Sequence, residues 1–134
     1  MAHLDFEWVK RRQVSFGTTT GETLVVGEPV DVGDWEELAL QITTLGVEGS
    51  PTATDIVANV QTAISVDEYP GWENCLATAT TLSYLPDGWV VLKVTPSSQH
   101  GLRKWARLVL QHGTTTAAQK ITINARCLLK KRTP

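Results

Sequence analysis

Short runs in which apolar and polar residues alternate, cut by Gly, Pro, Asp and Ser, fill most of this 134-residue chain. Over residues 56–66 the even positions Ile56, Ala58, Val60, Thr62, Ile64 and Val66 are mostly apolar, and Asn59, Gln61 and Ser65 stand between them. A repeat of two is the period of a half-buried strand, because successive side chains leave opposite faces of a sheet. The same grammar predicts extended segments over 6–16, 24–32, 35–45, 75–85, 89–95, 102–111 and 121–129. Turn chemistry separates them: Gly33-Asp34, a polar stretch over 46–55, and Pro86-Asp87-Gly88, where Pro fixes φ and Gly is expected to supply the unusual one. Strands spaced this regularly predict an all-β fold, a single-domain antiparallel β-sandwich of about seven to eight strands with jelly-roll or immunoglobulin-like topology. The domain is expected to cover residues 1–134, with an extended N-terminal arm at about 1–16 and a short basic C-terminal tail at 130–134.

At this length folding buries roughly two-thirds of the unfolded surface, so the core needs no disulfide or metal. The formal net charge of −2 supplies no global field toward nucleic acid or an anionic membrane, and neither partner is expected. No apolar run approaches the ~20 residues that span a bilayer. Met1-Ala2-His3-Leu4-Asp5 lacks the basic-then-apolar pattern of a signal peptide, so a soluble chain made in the cytosol is expected. Charge is nonetheless placed unevenly: Lys10, Arg11 and Arg12 lie near the start, and Lys130, Lys131 and Arg132 at the end. These are either solvated strand ends or a pair of docking points for an acidic partner surface.

The residues that could carry chemistry are few. His3, His100 and His112 are the only imidazoles, and no Gly-x-Ser-x-Gly presents a serine nucleophile. Cys75 and Cys127 are 52 positions apart, too far for a paired zinc motif. They are read as buried reduced thiols, with a disulfide between them as the alternative. Asp31, Asp34, Glu36 and Glu37 crowd one turn, yet their spacing fits no calcium loop. Glu68 and Glu73 flank Tyr69 and Trp72 and read as an acidic loop rather than a glycosidase pair. No enzyme is expected, and no cofactor.

Five tryptophans are many for so small a chain. Trp35 and Trp89 follow turns and are expected to cap the core. Trp72 shares a loop with Tyr69 and Pro70, where an exposed ring stacks on a sugar or anchors a protein contact. Trp105 alternates outward with Arg103 and Arg107, the composition of a subunit-contact patch.

The succession Trp35-x-x-Leu38-x-Leu40-x-Ile42, Val60-Gln61-Thr62-Ala63, Trp72, Leu102-Arg103-Lys104-Trp105-Ala106-Arg107-Leu108-Val109 and Ile121-x-Ile123-x-Ala125 resembles small β-sandwich structural proteins of tailed bacteriophages. The likeness spans roughly residues 30 to 128 and departs at Ala63, where Ser is commoner. It implies a virion protein of head-decoration or minor-capsid type, made in the host cytoplasm. Its partners would be the major capsid protein or other virion proteins, with a homo-oligomer such as a trimer at the shell. The rival expectation is a carbohydrate-binding or receptor-binding module that uses Tyr69, Trp72 and Trp89.

Overall fold

The computed structural model describes residues 3–17, 21–48, 56–67, 71–112 and 118–131. Among these residues all regular structure is β. In chain order the strands are β1 (His3–Phe16), β2 (Thr23–Asp31), β3 (Glu37–Glu48), β4 (Ile56–Ala63), the two-residue β5 (Glu73–Asn74) and β6 (Thr80–Thr81), β7 (Trp89–Val94), β8 (Trp105–His112) and β9 (Gln119–Lys130). One antiparallel sheet orders them β1-β9-β3-β7 and the other β2-β8-β4-β5, with β6 also on β4.

The pairing has a simple rule. His3 lies opposite Lys130, Thr23 opposite Gln111, Leu38 opposite Val94 and Gln61 opposite Asn74. Each strand of the first half therefore sits beside its mirror position in the second. The chain is one long antiparallel ribbon, doubled back between β4 and β5, then rolled so that β9 also meets β3 and β8 also meets β4. A rolled ribbon in two facing sheets is a jelly roll, which decides between the two topologies that the strand pattern allows.

Alternation fills the space between the sheets. Leu38, Leu40 and Ile42 of β3, Ala106, Leu108 and Leu110 of β8, and the β9 set Ile121, Ile123, Ala125, Cys127 and Leu129 are all buried in one cluster. Ile56, Ala58, Val60 and Thr62 of β4 face inward as expected. Ile64 and Val66 do not: they are exposed, because β8 begins at Trp105 opposite Ala63 and offers no ladder beyond it.

Three further expectations need correction. The segment 75–85 is not one strand. The chain leaves β4 after Cys75, whose N–H donates to Val60 O (2.8 Å), and returns where the Leu82 N–H donates to Ile56 O (3.0 Å). Across the gap the Asn59 amide replaces backbone pairing: Nδ2 donates to Leu76 O (3.0 Å) and Oδ1 accepts from Leu76 N (3.2 Å). In the 86–88 turn the left-handed residue is Asp87 (φ 63°), not Gly88. Gly88 is required for a different reason, since a Cβ there would lie 2.1 Å from Ser83 Oγ.

The N-terminal segment, expected as an arm, is the edge strand β1, laddered to β9 with Val9, Val14 and Phe16 buried. Its mixed polarity comes from irregularities between Glu7 and Val9 and between Val9 and Arg12, which reset the alternation. Arg11 there has φ 45°, and its N–H donates to Asn124 Oδ1 (2.6 Å). β1 also closes one open side of the sandwich. Trp8 Nε1 donates to Glu28 O (2.8 Å) and the Arg12 guanidinium donates to Val26 O (3.1 Å), tying the edge of one sheet to β2 of the other.

Cys75 and Cys127 are free thiols, both fully buried. Burial pushes each up to about 12, so neither is a thiolate at neutral pH. They will resist alkylation in the native protein and react on unfolding. An unfolded thiol starts to lose its proton near 9.0, while the folded one keeps it up to about 12. Their contribution to stability is therefore complete below about pH 9 and lost as pH rises toward 12. Alkaline urea melts should show a smaller loss in a Cys75→Ala/Cys127→Ala variant than in the wild type.

The Trp8 closure depends on Gly27, where a Cβ would stand 2.7 Å from Leu108 Cβ and 3.0 Å from the Trp8 ring. Gly27→Ala is expected to lower stability by about 1–3 kcal/mol, read by chemical denaturation, because both neighbours must move.

Candidate functional site

The outer face of the β2-β8-β4-β5 sheet gathers the polar side chains. Register sets Arg107 of β8 beside Gln61 of β4, and Gln61 beside Asn74 of β5. Arg107 Nε donates to Gln61 Oε1 (2.8 Å), and Gln61 Nε2 donates to Asn74 Oδ1 (3.0 Å). The Arg107 guanidinium carbon stands 4.2 Å from the centre of the Trp72 ring, a cation–π stack that holds the loop before β5 on the sheet. Partial burial holds the Arg107 pKa below its ordinary value, and the side chain stays charged.

A second cluster lies at the same end. Glu73 Oε2 is 2.9 Å from His100 Nδ1 and 3.3 Å from Arg103 Nη2. The backbone of Arg103 donates to Thr62 Oγ1 (2.7 Å), and that hydroxyl donates to Trp105 O (3.0 Å). Thr62 is thus fully buried yet fully used, and the segment between β7 and β8 is fastened to β4 and β5.

Cys75 follows Glu73 by two residues, and its carbonyl accepts from the His100 N–H (3.2 Å). A thiol-histidine-carboxylate reading fails on electrostatics. A nucleophilic cysteine needs a depressed pKa and access, whereas this one is buried and raised to about 12.

Farther along, Lys104 Nζ lies 2.6 Å from Asp31 Oδ2 and 5.9 Å from the Trp105 ring centre. The hydrogen bond from Lys104, aided by the Gly33 N–H, holds the Asp31 carboxyl below its usual range, and the same bond raises Lys104. The acidic turn considered for calcium thus already has a cation in Lys104. Among the described residues no three His, Cys, Asp or Glu side chains gather where they could hold a metal ion.

Of the residues singled out from sequence, Trp72, Arg103, Trp105 and Arg107 come together at one end of this sheet. Lys10, Arg11 and Arg12 lie exposed on the edge strand of the other sheet, while the half-buried Lys130 ends β9 and the exposed Lys131 follows it. Tyr69, Glu68 and Arg132 fall outside the described residues. Trp35 packs against the core as expected. Trp89 does not cap it: Val90, Leu92 and Val94 take the inward positions of β7, which leaves Trp89 60% exposed on the opposite outer face from Trp72. The two rings therefore form no shared stacking platform.

No protein-family model and no curated protein matches this sequence. Solved structures do match in shape. Over 97% of this chain and 33% of the other, the fold is similar to VP2 in a crystal structure of the infectious bursal disease virus subviral particle, at a TM-score of 0.54 and 8% identity. The likeness is one of fold. The chain spans about a third of the length of that VP2. Weaker matches include the N-terminal cellulose-binding domain of Cellulomonas fimi β-1,4-glucanase C (TM-score 0.48, 15% identity, 91% of this chain and 90% of that one). Another is the SPBc2 prophage-derived protein YomS (TM-score 0.40, 12% identity, 96% of this chain and 92% of that one). At those scores neither bears on function.

The amides Asn59, Gln61, Asn74 and Gln111, which line the same face, were not singled out from sequence. Outward polar residues on a strand are ordinary, and only the fold shows that these converge. Arg107 is the member whose chemistry is hardest to replace, since a lysine cannot both stack flat on Trp72 and donate sideways to Gln61. Arg107→Lys should cost about 1 kcal/mol in urea denaturation, while Lys93→Arg on β7 should leave stability unchanged.

Proposed function

We propose that this chain is a structural building block of a virion, a jelly-roll subunit that works through contacts with neighbouring protein subunits rather than by chemistry. The observation that carries the reading is the rolled ribbon itself, which takes in nearly the whole chain and is similar in shape to VP2 of a viral particle. Fold alone does not assign function. The surface supports the same reading by the way it treats its two sheet edges. On β1 the edge is irregular and carries Lys10, Arg11 and Arg12, a combination that blocks strand addition. On β7 the ladder to β3 runs without a register shift, and the outer residues Trp89 and Val91 are exposed. A subunit that must meet neighbours in one orientation gains from one closed edge and one open edge.

The finer role is capsid decoration or stabilisation in a tailed phage. Its partners are the major capsid protein and further copies of this chain, a trimer among the assemblies, and its location is the virion. The rival reading as a module with a loop-aromatic platform loses support from the separation of Trp72 and Trp89 on opposite faces.

Light scattering on the purified chain and cosedimentation with phage shells test the proposal. Self-association or shell binding that is lost in Trp89→Ser/Val91→Lys, with circular dichroism unchanged, is the expected result. A chain that stays monomeric alone and unbound in the presence of shells would overturn it. Deleting residues 1–12 is not a usable control, because it removes most of β1.

A further inference from the structure

On the outer face of the β2-β8-β4-β5 sheet lies a concave groove of about 330 Å³. We propose that it is a binding site for a neutral oligosaccharide. This inference is independent of the shell reading and stands on the groove alone.

The floor comes from the two central strands, where Val57 of β4 and Val109 of β8 point away from the core. Val109 is only 4% exposed although it faces outward, because the side chains around it cover it. One wall is the segment that leaves β4 between β5 and β6, contributing Ala77 and Ala79. That wall is built rather than incidental. The Asn59 amide, itself nearly buried, spends both its oxygen and its nitrogen on the backbone of Leu76.

The rim is made of amides with capacity to spare. Gln61 uses one N–H on Asn74 and accepts once from Arg107, which leaves one N–H and one lone pair. The Asn74 Nδ2 group makes no bond among the described residues, and Asn74 is exposed. Among the described residues Gln111 Nε2 has only a long contact to Gly21 O (3.4 Å), and its Oε1 makes no bond.

The chemistry of this lining selects the ligand class. Among the described residues, none of the side chains that line the groove carries a charge, so none of them compensates an anion or a cation. An amide presents a donor and an acceptor in one plane, which matches a pair of neighbouring hydroxyls that each donate and accept. Among the described residues the exposed lining is mostly polar, so a ligand there is held by hydrogen bonds rather than by apolar contact. The volume sits at the lower end of the roughly 300–1,000 Å³ typical of small-molecule sites, enough for one or two sugar rings. The groove also lies across the centre of the sheet rather than along an edge, so an extended peptide finds no free backbone ladder to join.

The test is a titration of the full ¹⁵N-labelled chain with cellotetraose, maltotetraose, chitotetraose and mannotetraose, with sialyllactose as the charged arm, followed by amide chemical shifts. At least one neutral sugar should shift the amides of Val57, Gln61, Val109 and Gln111 at millimolar concentration. Asn74→Ala and Gln111→Ala alter exposed side chains and should fold normally. Each should weaken binding by about fivefold to tenfold, as expected for the loss of one hydrogen bond. Trp89→Ala, on the opposite face, should leave affinity unchanged. The proposal is overturned by no shift with any neutral sugar, by shifts that map elsewhere, or by affinity untouched in the Asn74→Ala/Gln111→Ala double variant. Binding of sialyllactose alone overturns it as well, as do concentration-dependent shifts of the groove without sugar, which would mark a second copy of the chain as its occupant.

Discussion

Along both of its edges β9 exchanges backbone hydrogen bonds, with β1 on one side and β3 on the other, and β8 does the same in the facing sheet with β2 and β4. The centre of each sheet thus joins a strand from the last quarter of the chain to one from the first half, β9 to β3 and β8 to β4. The inward side chains of β9 and β8 complete the core, so the N-terminal strands cannot bury their apolar faces until the ribbon has closed. Loop-closure entropy must be spent before any of these contacts forms, which places the fold among the slow, non-local kind.

A rolled ribbon leaves two edges on each sheet, and edges are where β-proteins associate. Here the sandwich is tied shut between β1 and β2 by Trp8 and Arg12, with Gly27 making room for the indole. The same stretch holds the positive-φ Arg11 and the exposed basic triplet. Closing the sandwich and closing the edge are therefore one feature. The ladder of β7 runs without a register shift, and its exposed outer residues are Trp89 and Val91 with a single charge, Lys93. The basic triplet thus lies on the edge strand of one sheet, and the exposed aromatic Trp89 lies on the opposite edge strand of the same sheet.

Much of this was legible in the alternation. The inward residues of β3, β4, β7, β8 and β9 follow the period of two almost position by position, because a strand offers no other choice of face. Errors fell where alternation stops being local. Ile64 continues the pattern in sequence but has no partner strand, and 75–85 reads as extended but yields its middle to the Asn59 amide. Within the site, Trp72, Arg103, Trp105 and Arg107 stood out by residue type and do converge. The stack of Arg107 on Trp72, the Glu73 bridge to His100 and Arg103, and the amide rim join residues 13 to 46 positions apart. No spacing in the sequence encodes such contacts.

By itself the sequence determined the class of fold and the identity of its core. Side-chain polarity on a strand is read two residues at a time, and solvent enforces it everywhere alike. Tertiary structure alone decided that the ribbon rolls into a jelly roll, which edge is closed, and that three unremarkable amides rim a groove. Those outcomes depend on which distant strand lies alongside, and backbone hydrogen bonds are nearly blind to the residues that make them.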